Sequence, residues 1–320
     1  GGPAVRDREF TLLACWGRAR PCPVHRPMLK RLALILGTLI VMLLLAFSDV
    51  MPSKTVKIWV FDIGQGDAIF IDGPDKQILI DGGPDALVLE RLSSVMPWWD
   101  RKIDIVVNTH PHADHLVGLL PVLERYKVDE LIDAGEGYST PEFEELLNLA
   151  GARRTIMSSG DVIDLGGGAT LTTLWPPQPY DNALLDDPND GSIVQLFEYG
   201  DTTMLLTGDV GIAEENAILD SAFCCRDTAR PCPSHCAYDV DILKAGHHGS
   251  DTSSSQSFIN RIQPEIAIIS VGVGNDYGHP STFVIDRLIR VGAAVFRTDI
   301  DGNVQIKSSG GEPTVKSFTF

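Results

Sequence analysis

In the stretch "NTHPHADHLVG", residues 108–118, three histidines and an aspartate fall within six positions, although the chain has only 8 histidines in 320 residues. His110, His112, Asp114 and His115 come directly after the apolar run "IDIVV". Imidazole and carboxylate are the ligand types of a borderline divalent metal. On a tight loop the alternate residues His110 and His112 can face one cation, while Asp114 and His115 face a second beside it. A loop at the carboxyl end of a strand lets such side chains converge without disturbing a core. The chemistry implied is hydrolysis, because a bound divalent cation brings the pKa of its water to about 7 and polarises a phosphoryl or carbonyl oxygen. The sequence shows no Ser–His–Asp or Cys–His arrangement as a rival.

Such a loop needs strands behind it, and the sequence supplies them. "TVKIWVFDI" alternates in period two, "DAIFID" and "QILIDGG" follow behind Gly and Asp breaks, and "IDIVVNTH" reads as a buried strand. A helix is expected from about His115, where Leu116, Leu119, Leu120 and Leu123 share a face. "TPEFEELLNLAG" reads as a second helix, with Thr140 as N-cap, Pro141 at its first position and Gly151 past its end. The later half is built in the same way, with strands "ATLTTLWP", "SIVQLFEYG", "TTMLLTGD", "VDILKAG", "EIAIISVG", "AAVFRT" and "GNVQIKS" and helices "GIAEENAILDSAF", "SSQSFINRI" and "STFVIDRLIRVG". Two similar halves of this kind predict an α/β (α+β) fold of two mixed β-sheets packed face to face with helices outside. Gly64 and Gly66 in "DIGQGDA" are expected to turn the backbone tightly near the site, a phosphate-cradling loop being the alternative, and Trp98 and Trp99 to pack, with stacking on a base as their alternative.

The chain carries a net charge of −17. Such a surface repels polyanions at long range, so a nucleic acid would have to be met through local basic patches or metal ions. Near the start, Lys30 and Arg31 precede the uncharged apolar run Leu32–Phe47, and Ala46 and Ser48 place small residues before Asp49. This reads as an unstructured extension over 1–27, a signal peptide or single membrane anchor over 28–53, and a folded domain over 54–320 that is exported or membrane-anchored, on the extracytoplasmic side. The six cysteines sit in two patches, Cys15 and Cys22, then Cys224, Cys225, Cys232 and Cys236, sharing the string "ARPCP". The second patch is expected to be a surface insertion with disulfides, a zinc knuckle of Cys225, Cys232, His235 and Cys236 being the rival.

His110-x-His112-x-Asp114-His115 resembles the H-x-H-x-D-H signature of the metallo-β-lactamase fold superfamily. The resemblance implies a four-layer αββα sandwich and two divalent metal ions, Zn²⁺ first and Mn²⁺ as the alternative, with no organic cofactor. It implies that Asp81 in "ILIDGG" braces the loop, that Asp209 in "LLTGD" bridges the metals, and that His247 or His248 in "LKAGHH" completes the second site. The family's usual third histidine of the first site is missing, since no histidine lies between His115 and the cysteine-rich patch. Asn189, Asp190 or Ser192 of "PNDGSIVQL" stands in its place.

More narrowly, "FDIGQGDAIFI", "LKAGHHGSDTSSS" and "GNDYGHPS" are similar to the soluble domain of ComEC-type DNA-internalisation proteins. That resemblance implies a phosphodiester or nucleic-acid substrate and a separate membrane channel protein as partner. Asp114 would orient the nucleophile, and His279 would contact a phosphate oxygen or assist the leaving group. Asn189, Ser192 and Ser250 would reach the substrate. Other esters, thioesters, lactones or β-lactams are alternative substrates of the same fold, and a non-catalytic part of a DNA-uptake apparatus is the reading from another class.

Overall fold

Apolar residues on both faces of a strand call for cover on both sides, and the strands of this chain find it. The computed structural model describes residues 25–48, 55–221 and 239–319. The chain divides into a unit over 1–51 and a unit over 52–320. In the first unit, α1 (His25–Ser48) carries the apolar run, and its described side chains, Leu34 and Met42 among them, are exposed. Among the described residues no helix is long and apolar enough to cross a membrane. All six cysteines and His235 lie outside the described residues, and with them both readings of the cysteine patches.

In the second unit, β1 (Val56–Val60), β2 (Ile69–Asp72), β3 (Gln77–Ile80), β4 (Lys102–Val107), β5 (Lys127–Asp133) and β6 (Arg154–Ile156) build one sheet. A second sheet holds β7 (Val162–Gly166), β8 (Ala169–Trp175), β9 (Val194–Tyr199), β10 (Thr202–Leu206), β11 (Ile242–Lys244), β12 (Ile266–Ile269) and β13 (Ala294–Arg297). The chain then returns to the first sheet with β14 (Asn303–Ser308) and β15 (Thr314–Phe318), giving the order β15-β14-β1-β2-β3-β4-β5-β6. In the first sheet β15-β14-β1-β2-β3 pair antiparallel and β3 to β6 parallel, and in the second β7 to β10 pair antiparallel and β10 to β13 parallel. The two similar halves of the sequence are thus a repeated topology.

Alternation sets the layers. Ile58, Ile71, Ile78 and Ile80 point between the sheets, where they meet Leu171, Phe197, Leu206 and Ile242. Their neighbours Trp59, Phe70 and Leu79 point the other way, under α2 (Leu87–Val95), α3 (Ala113–Leu116), α4 (Leu119–Arg125) and α5 (Pro141–Ala150). On the far face, Leu205, Leu243 and Ala267 lie under α6 (Ile212–Ser221), α7 (Gln256–Ile262) and α8 (Thr282–Arg290). The result is the four-layer αββα sandwich, with both faces of both sheets buried.

Helix α5 forms as its sequence predicts: the Thr140 hydroxyl accepts the Phe143 N–H, Pro141 opens the helix and Gly151 closes it. The single helix expected from His115 is instead broken into α3 and α4 at Val117–Gly118. The break is a close crossing, for the Gly82 N–H donates to the His115 carbonyl at 2.6 Å and the Gly118 N–H to the Gly83 carbonyl at 2.9 Å. A Cβ on Gly118 would collide with the Gly82 carbonyl oxygen. Trp98 and Trp99 do not pack as expected. They sit in the turn after α2, edge to face with each other, 80% and 66% exposed.

The Gly82–Gly118 crossing ties the end of β3 to the histidine loop, so Gly118→Ala should cost about 1–3 kcal/mol of stability and weaken metal uptake with it. Denaturant unfolding together with a metal titration measures both, and an unchanged midpoint would contradict the crossing's role.

Candidate metal centre

Four strand ends converge at the edge of the sandwich. β3 delivers Asp81, β4 the loop from Asn108 to His115, β10 Asp209, and β11 the pair His247–His248. Asp81 adopts a left-handed backbone, φ 58°, a conformation that a non-glycine residue holds only when its surroundings fix it. Here the carboxylate accepts from the Thr109 N–H at 2.8 Å, from the Thr109 hydroxyl at 2.7 Å and from His115 Nδ1 at 2.8 Å.

These bonds decide which ring nitrogens face inward. The Thr109 hydroxyl gives its proton to Asp81, so at 3.0 Å from His110 Nδ1 it accepts one, leaving His110 Nε2 bare. His115 donates Nδ1–H to Asp81, and His248 donates Nδ1–H to the Ser270 carbonyl at 3.0 Å. All three imidazoles therefore turn Nε2 toward the centre, oriented from behind as metal ligands require.

The inward atoms are spaced like ligands. His115 Nε2 lies 3.3 Å from His248 Nε2 and 3.2 Å from Asp209 Oδ2. His248 Nε2 lies 3.3 Å from Asp209 Oδ2 and 3.2 Å from Asp114 Oδ2. Ligands at about 2.0–2.2 Å from a tetrahedral Zn²⁺ stand roughly 3.3 Å apart, so His115, Asp209 and His248 fit one cation, with Asp114 beside them, 3.9 Å from His115 Nε2. His110 Nε2 and His112 Nδ1, 3.1 Å apart, begin a second group, and His110 clusters with His115 and Asp209. Asp209 thus belongs to both, and its Oδ1 is buried without a hydrogen-bond partner. The donor set and this orphaned oxygen fit a pair of divalent cations sharing Asp209.

The electrostatics agree. Burial pushes His110 down, and the charge of His115 pushes it further, so it stays neutral. Burial also opposes the charged form of His115 and His248, but Asp209, with Asp81 and Asp114, outweighs it. His115 is held well above the ordinary histidine value and His248 at about 9. Burial would raise Asp209, yet His248 and His115 hold it well below the carboxylate range. Without metal, protons on His115 and His248 would balance the carboxylates, and metal uptake would release them.

Of the two late histidines, His248 enters the cluster and His247 does not. Both have left-handed backbones, φ 46° and 53°, which send consecutive side chains apart. His247 turns toward the Thr252 hydroxyl, 3.3 Å from its Nδ1, and toward the His279 ring. Ser192 accepts the Asp209 N–H at 3.1 Å and so positions the shared carboxylate. Asp190 is exposed, and its backbone carbonyl accepts from Trp175 and Tyr180. Asn189 is the one of the three that lines the cleft, with a buried Oδ1 that has no hydrogen-bond partner. The Ser250 hydroxyl pairs with Thr252 at 3.0 Å, away from the cleft lining. His279 lines the cleft, its Nδ1 buried and unpartnered.

Two residues of the site have no separate signal in the sequence. Lys244, fully buried at the end of β11 and three residues before His247, places Nζ 2.5 Å from Asp67 Oδ2. Asp67 is buried as well, clusters with Asp209 and His248, and donates its N–H to the Asp114 carbonyl at 3.3 Å. Its neighbour Gly66, φ 132°, lets this backbone pass against Asp114, where a Cβ would strike the Asp114 carbonyl. "GQGD" and "LKAGHH" look like a turn and a strand end; only the tertiary contact makes them a buried ion pair.

The fold and this ligand set define a class: the chain belongs to the Metallo-beta-lactamase superfamily, whose family model matches residues 61–273. The ComEC-type resemblance holds too. The chain is 28% identical to ComE operon protein 3 of Bacillus subtilis over 89% of its own length and 37% of that protein's. It is 27% identical to Competence protein ComA of Neisseria gonorrhoeae, over 80% and 33% of the two lengths. It therefore spans about a third of the curated relatives it matches. Among solved structures, the CmlA beta-hydroxylase E377D mutant aligns with a TM-score of 0.49 at 14% identity, over 80% of this chain and 54% of that one.

Asp81→Asn should weaken metal affinity about 10- to 100-fold, as loss of an orienting carboxylate does, and isothermal titration with Zn²⁺ will read it. Lys244→Met should destabilise the metal-free chain by about 3–5 kcal/mol by stranding the Asp67 charge. Adding Asp67→Asn should restore most of that loss in chemical denaturation, and a double variant no better than Lys244→Met would refute the pairing.

Proposed function

We propose that this chain is a metal-dependent phosphodiesterase acting on DNA or nucleotide-like diesters outside the membrane. The observation that carries the reading is a ligand cluster for two cations at the floor of an open cleft of about 360 Å³, lined by Gln65, Asn189, His247, His279 and two tyrosines. Four buried or half-buried carboxylates, Asp67, Asp81, Asp114 and Asp209, would repel an anionic substrate from that floor. Two cations reverse the local sign, which suits a phosphodiester better than a neutral ester.

Bound there, the cations would supply hydroxide at ordinary pH and stabilise negative charge on the phosphoryl group. His110, His112 and Asp209 would hold one, and Asp114, His115, His248 and Asp209 the other. Asp114 is the most open of these carboxylates and lines the cleft, where it can orient an attacking water. Burial, and then His247 and His248, lower the pKa of His279, so the ring stands neutral at pH 7. A neutral imidazole there can donate one N–H to a phosphoryl oxygen or to the departing oxygen.

The extracytoplasmic site of action rests on Lys30 and Arg31 ahead of the apolar run Leu32–Phe47, acting as leader or anchor. The names of the curated relatives, a competence protein and a recombination protein, support nucleic acid as the substrate.

The purified full chain, loaded with Zn²⁺ or Mn²⁺, should hydrolyse bis-nitrophenyl phosphate and a single-stranded oligonucleotide. His112→Ala and Asp209→Asn should each lower the rate on the order of a thousandfold, the several kcal/mol a Lewis-acid cation supplies. Turnover of a lactone, thioester or β-lactam with none of the diesters would overturn the reading.

A further inference from the structure

Aromatic rings run through the centre in one unbroken arc. From the solvent inward, Tyr277 stacks on His279 (centroids 5.7 Å, 27°), His279 meets His247 edge to face at 5.6 Å, and His247 meets His248 at 6.2 Å. The arc continues through His115, His110 and His112, and ends on the far side with Tyr138, 6.3 Å from His112. The inner rings belong to the ligand cluster. Tyr277 does not: it is 72% exposed, touches no ligand and yet lines the same cleft.

Its position is built rather than incidental. The Asn275 side chain holds the segment with four hydrogen bonds. Its Nδ2 donates to the carbonyls of Gly272 and His279 at 3.0 and 2.7 Å, and its Oδ1 accepts the N–H groups of Tyr277 and His279 at 3.2 and 3.0 Å. A tyrosine so fixed keeps one face on His279 and offers the other to the cleft mouth at little cost in side-chain entropy. Nothing in the packing of the domain requires it, since most of its surface is in water.

We propose that Tyr277 is a stacking platform for the nucleobase next to the bound phosphodiester, so that the centre takes unstacked, single-stranded nucleic acid in preference to duplex. The proposal rests on the phosphodiester reading above and adds the part of the substrate that is recognised. In a duplex both faces of a base are covered by its neighbours, whereas a single strand can lay a base on an aromatic side chain without first being opened. On a chain of net charge −17, with little electrostatic pull for a polyanion, such stacking would supply affinity that basic residues supply elsewhere.

The test is fluorescence anisotropy of the full chain loaded with Mn²⁺, using a cleavage-resistant phosphorothioate oligothymidylate and an abasic strand with the same linkages. The native chain should bind the base-bearing strand about 5- to 100-fold more tightly than the abasic one. Tyr277→Ala should erase that preference and Tyr277→Trp should keep it, with thermal unfolding confirming that both variants fold. Equal binding of the two strands, no binding of either, or a preference that survives Tyr277→Ala would overturn the platform. Bis-nitrophenyl phosphate hydrolysis, run in parallel, separates the two readings. Hydrolysis without a base preference sinks the platform alone, and a base preference without hydrolysis under Zn²⁺ or Mn²⁺ sinks the phosphodiesterase.

Discussion

The centre depends on one carboxylate that is not in its innermost ring. Asp81 accepts from the Thr109 amide, the Thr109 hydroxyl and His115 Nδ1, and through them fixes the tautomer and aim of two imidazoles. Its oxygens are fully committed to this task, and its left-handed backbone is tolerable because those bonds outweigh the strain. The glycines on either side of the crossing serve the same end. They bring the turn after β3 against the start of α3 and α4, so that Asp81 reaches under the histidine loop rather than beside it.

Charge is the second constraint. The cluster gathers buried carboxylates that could not all remain ionised together without positive partners. Lys244 is one such partner, for Asp67; protonated His115 and His248 are others in the absence of metal. The centre therefore has a metal-free form that is electrostatically tolerable and a loaded form that exchanges protons for cations. That exchange would reconcile a strongly acidic chain with the anionic substrate proposed for it.

Much of this was legible in the sequence. Strand alternation marked the inward and outward faces of β1, and the repeated order of elements anticipated the paired sheets. His110, His112, Asp114 and His115 could be picked out because metal-ligand residue types cluster behind a strand, whereas Asp209 entered only through the resemblance to the metallo-β-lactamase fold. The choice between His247 and His248 was not legible, for it turns on two successive left-handed residues. Nor was the break between α3 and α4, since leucine spacing reports a helical face but not the backbone crossing at Gly118. Trp98 and Trp99 read as packing residues because large apolar side chains usually are; the turn after α2 faces them outward instead. The Lys244–Asp67 pair joins residues far apart in the chain, and no local pattern marks it.

The repeated topology divides the ligands between its two layers. Loops of the first sheet hold His110, His112, Asp114 and His115, and loops of the second hold Asp209 and His248. Neither half owns a complete set of ligands, so cations held there would act as rivets driven across the seam. A chain whose sheets have not yet docked would lack half of the ligands, so full-affinity cation capture would come late in its maturation.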